Sequence, residues 1–415
     1  MAERVRAHGQ YGAVSMTEGA LYGIRVVEVG NFMAAPFCTL QLADLGADVI
    51  KIENPDGGDQ VRTTAPFLGG ESSSFIRLNR NKRSLALNLK AAQGKDVFRR
   101  LVRNTDVLVE NLRPGTMRDL GLDYPRLSEE NPRLIYVAAS GWGQDGPYAE
   151  RPGLDIMAQG MSGLMSITGE EGGRAPVKVG VPITDLACAL YGALGALAAL
   201  RARERTGRGQ FIDVCLFEAG VSLAVWEAGR YFATGEVPGP LGSAHQTAAP
   251  YQALRAIDGF FTVGATTRPN WEACCDVFGL QQLKDDPRFA QNHLRHQNRR
   301  ELIPLIEAVT QGESIAHWVH ALTAAGVPCG PIQTYDQVFS DPHLRARGFF
   351  PEAPHSKLGP VKQIASPMRL SATPPQVVRA GPLLGEHSTE VLGQIGYSQE
   401  EIQQLHDSGV VRTSQ

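Results

Sequence analysis

The sequence predicts an α/β fold with a parallel sheet, joined to a smaller α+β domain. Three observations carry this. Short apolar strands alternate with helical periodicity through the first half of the chain, the pattern of a parallel sheet covered by helices. The alternation stops at GEVPGPLG, residues 235–242, where three glycines and two prolines mark a boundary. Beyond it the texture changes: YQALRAIDGFFTVGA reads as an antiparallel hairpin around Asp258-Gly259, and Trp271 to Ala325 is mostly helical with charged faces.

Taken in order, GIRVVEVG from Gly23 is a strand, Phe37 to Leu45 a helix and ADVIKIE ending at Glu53 a second strand, a compact βαβ unit. SLALNLK, KDVFRRLVRN, VLVEN, a short helix near Leu127 and LIYVAAS continue the alternation. A long helix follows around Asp185, then FIDVCLF as a strand and Glu218 to Thr234 as a helix. The tail from Tyr335 reads as mixed loops with a final helix, Ser398 to Leu405. The expected organisation is a loose tail at 1–20, a large domain at 21–235, a small domain at 236–332 and a C-terminal return at 333–415.

At 415 residues, with 43% hydrophobic and 20% charged residues, the chain has ordinary globular composition. Its net charge of −3 gives no electrostatic footprint for nucleic acid or an anionic membrane. The six cysteines lack a CxxC or zinc-type spacing, which points to reduced thiols, a cytoplasmic protein and no metal. The first 15 residues have no apolar stretch that would serve as a signal, and Met16 is an alternative start. The apolar run around Asp185 is interrupted by that charge and followed by RARERTGRG, so it reads as a buried helix and not a span.

Asp185 is the only charged side chain between Val179 and Leu200. A carboxylate set against aliphatic surface is costly unless bonded, so it is either a helix cap or a chemical tool. The first βα turn, VGNFMAAPFC, lacks GxGxxG, which disfavours a nicotinamide enzyme; Ala34 and Ala35 permit either close ligand approach or close packing. Arg80, Lys82, Arg83 and Lys90 suit a phosphorylated ligand or a solvated strand. Asn111 and Arg113 follow a parallel strand, on the edge where open α/β sheets bind ligands. In the loop GWGQDGPYAERPGLD, Trp142 and Tyr148 either stack on a ligand or pin the loop, and Asp155 is a second acid or a helix cap. His245 follows the domain break and is a candidate for a carboxylate substrate.

The joint order of these segments resembles the class III coenzyme A transferases: GADVIKIE, GD with Arg62 three residues on, LNLK, VEN with RPG, SG-W-GQ-GPY, and TDLACALYG. The similarity runs from Gly23 to LLGEHSTEVL near Leu384. It implies a Rossmann-like large domain built from both chain ends, a smaller domain between, and an interlocked homodimer. It implies that Asp185 is the nucleophile, passing through an aspartyl anhydride and an aspartyl-CoA thioester, ionised at neutral pH with help from its helix N-terminus. CoA thioesters are then substrates and no tightly bound cofactor is needed. The implied CoA-contacting residues are Met33, Ala34, Asn54, Leu87, Asn88, Leu89, Lys90, Asn111, Leu112, Arg113, and Pro152, Gly153, Leu154 and Asp155. A basic residue often found after the RPG turn aligns with Asp119, with Arg118 adjacent. The glycine-rich substrate loop of oxalate enzymes is replaced by GSAHQTAAPYQ, which argues against oxalate. Racemases of the superfamily carry a histidine where Leu154 stands, so transfer is favoured over racemisation; a non-catalytic CoA-binding protein is the other alternative. The segments NRNKRS, SGLMSITG and GSAHQTAAPYQA are most similar to succinyl-CoA-dependent enzymes acting on C4 to C6 dicarboxylates. His245 and Arg77 are the candidates for the acid's distal carboxylate.

Overall fold

The structure, a computed structural model, describes residues 18–413. Met16 and residues 1–17 of the expected tail lie outside the described residues. The chain divides into two compact units, one of them made of the segments up to Ala158, Val181–Val221 and His343 onward, the other of Gln159–Gly180 and Ser222–Pro342.

The first unit is built on six parallel strands: β1 (Arg25–Val29), β2 (Asp48–Glu53), β3 (Lys82–Leu87), β4 (Val107–Glu110), β5 (Ile135–Ser140) and β6 (Phe211–Cys215). Their order across the sheet is β3-β2-β1-β4-β5-β6, and β7 (Val411–Arg412) joins antiparallel at the β3 edge. The order reverses between β1 and β4, the place where doubly wound sheets open a crevice. β1 to β5 are buried on both faces, as parallel strands under helices must be, and all but β3, KRSLAL, carry valine or isoleucine. Alternate residues feed two cores. Val27, Ile50 and Leu108 pack with Phe98 and Leu101 of the helix Ala92–Val102 on one face. On the other, Val26, Val49 and Val107 meet α1 (Ala34–Asp44) and α2 (Ile183–Thr206) through Leu42, Ala189, Ala193 and Ala196. By length and composition α2 is apolar enough to cross a membrane, with mean hydropathy 1.7. Its small residues instead let it lie on the sheet, since a Cβ on Gly192 would be 3.4 Å from Val137 Cγ1 of β5.

Under the centre of the sheet sit four charges with fully buried side chains. Glu28 on β1 takes Lys51 Nζ of β2 at 2.5 Å and Lys82 Nζ of β3 at 2.7 Å, and Lys51 also reaches Asp59 at 2.9 Å. The lysines also donate to Gly30 O, Pro36 O and Asn79 Oδ1, and Thr39 Oγ1 donates to Glu28. Burial opposes ionisation of Glu28, but the two ammonium groups outweigh it and hold the carboxyl down at about 2. Its contribution to stability is therefore complete above its unfolded value of 4.5 and is lost as the pH falls toward 2.

Of the two readings of Arg80, Lys82 and Arg83, a phosphorylated ligand or a solvated strand, neither fits these three, which are buried and paired within the chain. Arg80 pairs with Asp44, Lys82 with Glu28, and Arg83 with Asp48 and Glu390; only Lys90 of that group is exposed.

In the second unit the strands Tyr251–Ala256, Gly259–Gly264 and Cys329–Pro331 form an antiparallel sheet, with the two-residue turn Ile257-Asp258 closing the hairpin. Trp271, Phe278, Phe289, Leu302 and Trp318 fill its core. Arg295, 1% exposed, donates to the carbonyls of Ala249, Phe289 and Thr266. The division departs from the boundaries read at 235/236 and 332/333. Residues 159–180 and 222–235 belong with the second unit, because the Gly/Pro stretch is an internal connection tied back by Gly242 N–H to Gly169 O at 2.8 Å. The helix read as Glu218 to Thr234 is two, Leu216–Ser222 and Val225–Thr234, broken where the units part.

Two outcomes are expected. Glu28→Gln leaves two buried ammonium groups short of one counter-charge and should cost about 3–5 kcal/mol of the first unit's stability in urea unfolding. Gly94 sits inside Ala92–Val102, where alanine ordinarily helps, yet its Cβ would lie 2.0 Å from Asn88 O; Gly94→Ala should therefore lower stability by about 1–3 kcal/mol, read as a shifted urea midpoint.

Candidate active site

The candidate residues leave the C-terminal ends of parallel strands. Met33 and Ala34 follow β1, Asn54 follows β2, Leu87 to Lys90 end and follow β3, Asn111 to Arg113 follow β4, and 141–155 follow β5. Parallel strands bring those ends to one edge. α2 connects β5 to the parallel β6, so it must run back across the sheet and begin at the same edge, which places Asp185 there.

Asp185 is the third residue of α2 and does not cap it. Pro182 occupies the N-cap with no side-chain bond. The capping is done from outside: Asp155 Oδ1 accepts from the Thr184 backbone N–H at 3.0 Å and from Thr184 Oγ1 at 2.7 Å. That use of the first-turn donors leaves the Asp185 carboxylate with no hydrogen bond among the described residues. Burial, with the nearby Asp155 charge adding to it, raises Asp185 from 3.8 to about 7. The expected full ionisation at neutral pH is thus corrected: desolvation and a like charge outweigh the helix N-terminus, and the group is near half-protonated at pH 7. An unbonded carboxylate of this basicity, partly open to solvent, is equipped to attack an electrophile or to exchange a proton.

One turn below, Ala187 and Cys188 pack with Ala34, Ala139 and Ala158, which brings the start of α1 beside the start of α2. Ala34 is 2% exposed, so its side chain packs; Met33 is half-buried at the uncapped start of α1. The turn between β1 and α1 is held by three hydrogen bonds from two side chains. Asn111 Oδ1 accepts from Asn31 N–H at 3.0 Å and Asn111 Nδ2 donates to Asn31 O at 2.8 Å, while Asp59 Oδ1 accepts from Phe32 N–H at 3.3 Å. Phe32 is left-handed there, at φ 59°, and Gly30 has no room for a side chain, since a Cβ would meet Asn111 Oδ1 at 2.7 Å. Asn31 was not singled out from the sequence, and Asp59 entered only as part of the GD segment, with no role; the partners of the two lie 80 and 27 positions away and leave no local signal.

Other candidates fall into place unevenly. Asn54, Lys90, Arg113, Arg118, Pro152 and Leu154 are exposed, and Asn88, Leu89, Leu112 and Gly153 partly so. Leu87 is buried in the core. Arg113 donates to Glu150 O at 3.1 Å, and Arg118 stands 3.7 Å from Asp119. Trp142 is buried, donates to Pro152 O at 3.3 Å and meets Tyr148 and Phe217 edge-on, so it pins the loop. Arg77 Nη1 is bonded to Ser73 of its own helix. In the second unit His245 Nδ1 accepts from Thr247 N–H at 3.1 Å, so the neutral ring carries its proton on Nε2, between Trp226 and Tyr251. All six cysteines are free, and no His/Cys/Asp/Glu cluster among the described residues is arranged to hold a metal.

Comparison with known proteins places the chain in a family. Residues 21–388 match the profile of CoA-transferase family III. The chain is 37% identical to the human succinyl-CoA:glutarate CoA-transferase over 393 residues, covering 94% of this chain and 90% of the relative. It is 38% identical over 354 residues to the acetyl-CoA:oxalate CoA-transferase of Acetobacter aceti, covering 85% and 90%. A CAIB/BAIF family protein from Brucella suis, solved as a crystal structure, superposes with TM-score 0.81 at 37% identity over 91% of this chain and all of that one. The parallel sheet, the strand-end loops and the match over nearly the whole length show that the chain belongs to CoA-transferase family III and is a CoA transferase.

Proposed function

We propose that the protein moves CoA from an acyl-CoA donor, succinyl-CoA, to a free dicarboxylic acid of the glutarate, hydroxymethylglutarate, itaconate or malate type, with Asp185 as the covalent relay. The observation that carries this is the division of labour at the start of α2: Asp155 caps the helix and Asp185 is left unbonded. In the reading, the Asp185 carboxylate adds to the thioester carbonyl and expels CoA thiolate, forming a mixed anhydride. The thiolate then attacks the aspartyl carbonyl and releases the donor acid, leaving an aspartyl-CoA thioester. The acceptor carboxylate repeats both steps in reverse order, and the thioester bond is conserved because water takes no part. First-turn N–H groups of the uncapped α1 support the reading as donors to oxygens that gain charge in these steps. The strand-end loops carrying Asn54, Asn88 to Lys90, Arg113, Arg118 and Pro152 to Leu154 are assigned to CoA, with Asn111 holding the loop of Met33. The His245 Nε2–H is assigned to the acceptor's carboxylate.

Leu154 argues against a racemase: it is 64% exposed and has no proton to exchange where a partner base would stand. The names of the relatives, glutarate in one and oxalate in another, support a dicarboxylate acceptor while leaving its length to experiment.

We also assign the functional form to a homodimer. The helix Val225–Thr234 buries none of its residues within the chain, with Trp226 64% and Phe232 83% exposed, and α2 exposes Leu190 and Leu194. Apolar surface of that extent on separate elements fits a second copy of the chain.

Succinyl-CoA incubated with acids from oxalate to adipate, followed by mass spectrometry of the thioesters, should give one preferred new thioester. Asp185→Asn should lower that turnover by three orders of magnitude or more with CoA affinity changed only a few fold; retained turnover in freshly prepared protein would remove the nucleophile. kcat/KM should rise with pH through about 7 and then level, because only the carboxylate attacks. In Asp155→Asn, which keeps an oxygen for Thr184, that limb should move to lower pH by about one unit or less. Sedimentation should give a dimer, and Phe232→Asp should shift it toward monomer; a monomer in the unaltered protein at micromolar concentration would overturn the assignment.

A further inference from the structure

The β3 side of the sheet carries a cavity of about 300 Å³, lined among others by His355, Arg379, Gly381, Glu386 and His387. All belong to the first unit. None is used by the chemistry proposed above.

His387 completes the edge of β3. Its backbone N–H donates to Ser84 O at 3.0 Å, and its Nδ1 accepts from Ser84 N–H at 3.3 Å. A backbone amide only donates, so Nδ1 carries no proton. Burial lowers the pKa of His387, which keeps the ring neutral, and its single proton is then on Nε2. Yet Nε2 lies 3.2 Å from Arg379 Nη1, and a guanidinium has donors only. Two N–H groups converge with no acceptor between them among the described residues.

A third donor belongs to another residue lining the same cavity. His355 Nδ1 accepts from Lys357 N–H at 3.1 Å and Leu358 N–H at 3.3 Å, and burial likewise lowers its pKa, so its proton also sits on Nε2. The wall is rigid. Asn81 Oδ1 accepts from the N–H groups of Val378 and Arg379 at 2.7 and 3.2 Å, and Asn81 N–H donates to Arg379 O at 3.0 Å. Gly381 N–H donates to Ile76 O at 2.8 Å, and its Cα is so close that a Cβ would be 2.9 Å from Ile76 Cα. One carboxylate lines the cavity as well: Glu386, whose Oε2 accepts from Leu383 N–H at 2.6 Å, offsets the Arg379 charge.

We propose that this cavity binds a phosphate group, clipped between Arg379 and the His387 Nε2–H with the His355 Nε2–H as a further donor. The oxyanion supplies the missing acceptor and turns a donor–donor clash into charge-assisted hydrogen bonds. The Glu386 charge keeps the affinity modest, in the millimolar range. The phosphate comes either free from solution or as the phosphomonoester of a larger ligand, and CoA carries one on its 3′-hydroxyl.

The test is NMR of the full-length protein labelled on histidine, titrated with inorganic phosphate at constant ionic strength in chloride. The His387 Nε2–H signal, assigned through His387→Gln, should shift saturably. The shift should vanish in Arg379→Gln, whose side chain is exposed. No saturable shift in the unaltered protein, or the same shift in Arg379→Gln, overturns the proposal. A shift with CoA that is absent with 3′-dephospho-CoA assigns the group to the substrate's phosphomonoester; a shift with inorganic phosphate alone assigns it to the free anion. The phosphate titration involves no acyl transfer, so its outcome is independent of the nucleophile assignment.

Discussion

The buried set of Glu28, Lys51, Lys82 and Asp59 is the constraint on which the rest of the first unit hangs. Two carboxylates and two ammonium groups cancel in charge; Lys82 donates to Glu28, Pro36 O and Asn79 Oδ1, while Lys51 donates to Glu28 and Gly30 O and pairs with Asp59. Such a group gives little net stability compared with an apolar core of the same volume, and its value lies in what it fixes. It joins β1, β2 and β3, takes Pro36 O and Thr39 of α1, and through Asp59 fixes Phe32 in the turn that leads to the site. A register slip in any of the three strands would strand a charge in the interior, so the loop geometry at the strand ends inherits its precision from electrostatics beneath the sheet.

Asp155 and Asp185 show how two like residues are given different work by their neighbours. Asp155 is hydrogen bonded by Thr184 twice and serves as a cap. Asp185, one residue further along the helix, has burial and a like charge around it and no donor. Capping by a residue from another element frees the helix from using its own first-turn acid, and so the acid is left chemically available. The cost is a carboxylate that opposes folding whenever it is ionised, a strain that active sites commonly hold.

What the sequence made legible follows from range. The strands β1, β2, β4 and β5 were readable because burial on both faces forces runs of valine and isoleucine, and Asp185 stood out because a lone charge in an apolar run needs a reason. Lys82 was misjudged because a lysine in a strand looks the same whether it meets solvent or Glu28, 54 positions earlier. Asn111 was placed at the right edge but its side chain is occupied by Asn31, 80 positions away. The unit boundary was misplaced for a similar reason: glycine and proline announce an irregular backbone, and only the Gly242 to Gly169 bond shows that the irregular stretch is internal. Local pattern reports which residues want burial; it is silent on which distant partner buries them.

The closing of β3 by His387 and Ser388, and further along by β7, has a consequence for synthesis. Ser84 and His387 are 303 positions apart. At about 5–20 residues per second, a ribosome needs on the order of 15–60 s to deliver the partner after the strand has emerged. For that interval the nascent chain carries an open sheet edge, a template for wrong pairing with other strands. Synthesis rate and holding chaperones, more than the stability of the finished sheet, would then decide how much of the chain escapes misassembly.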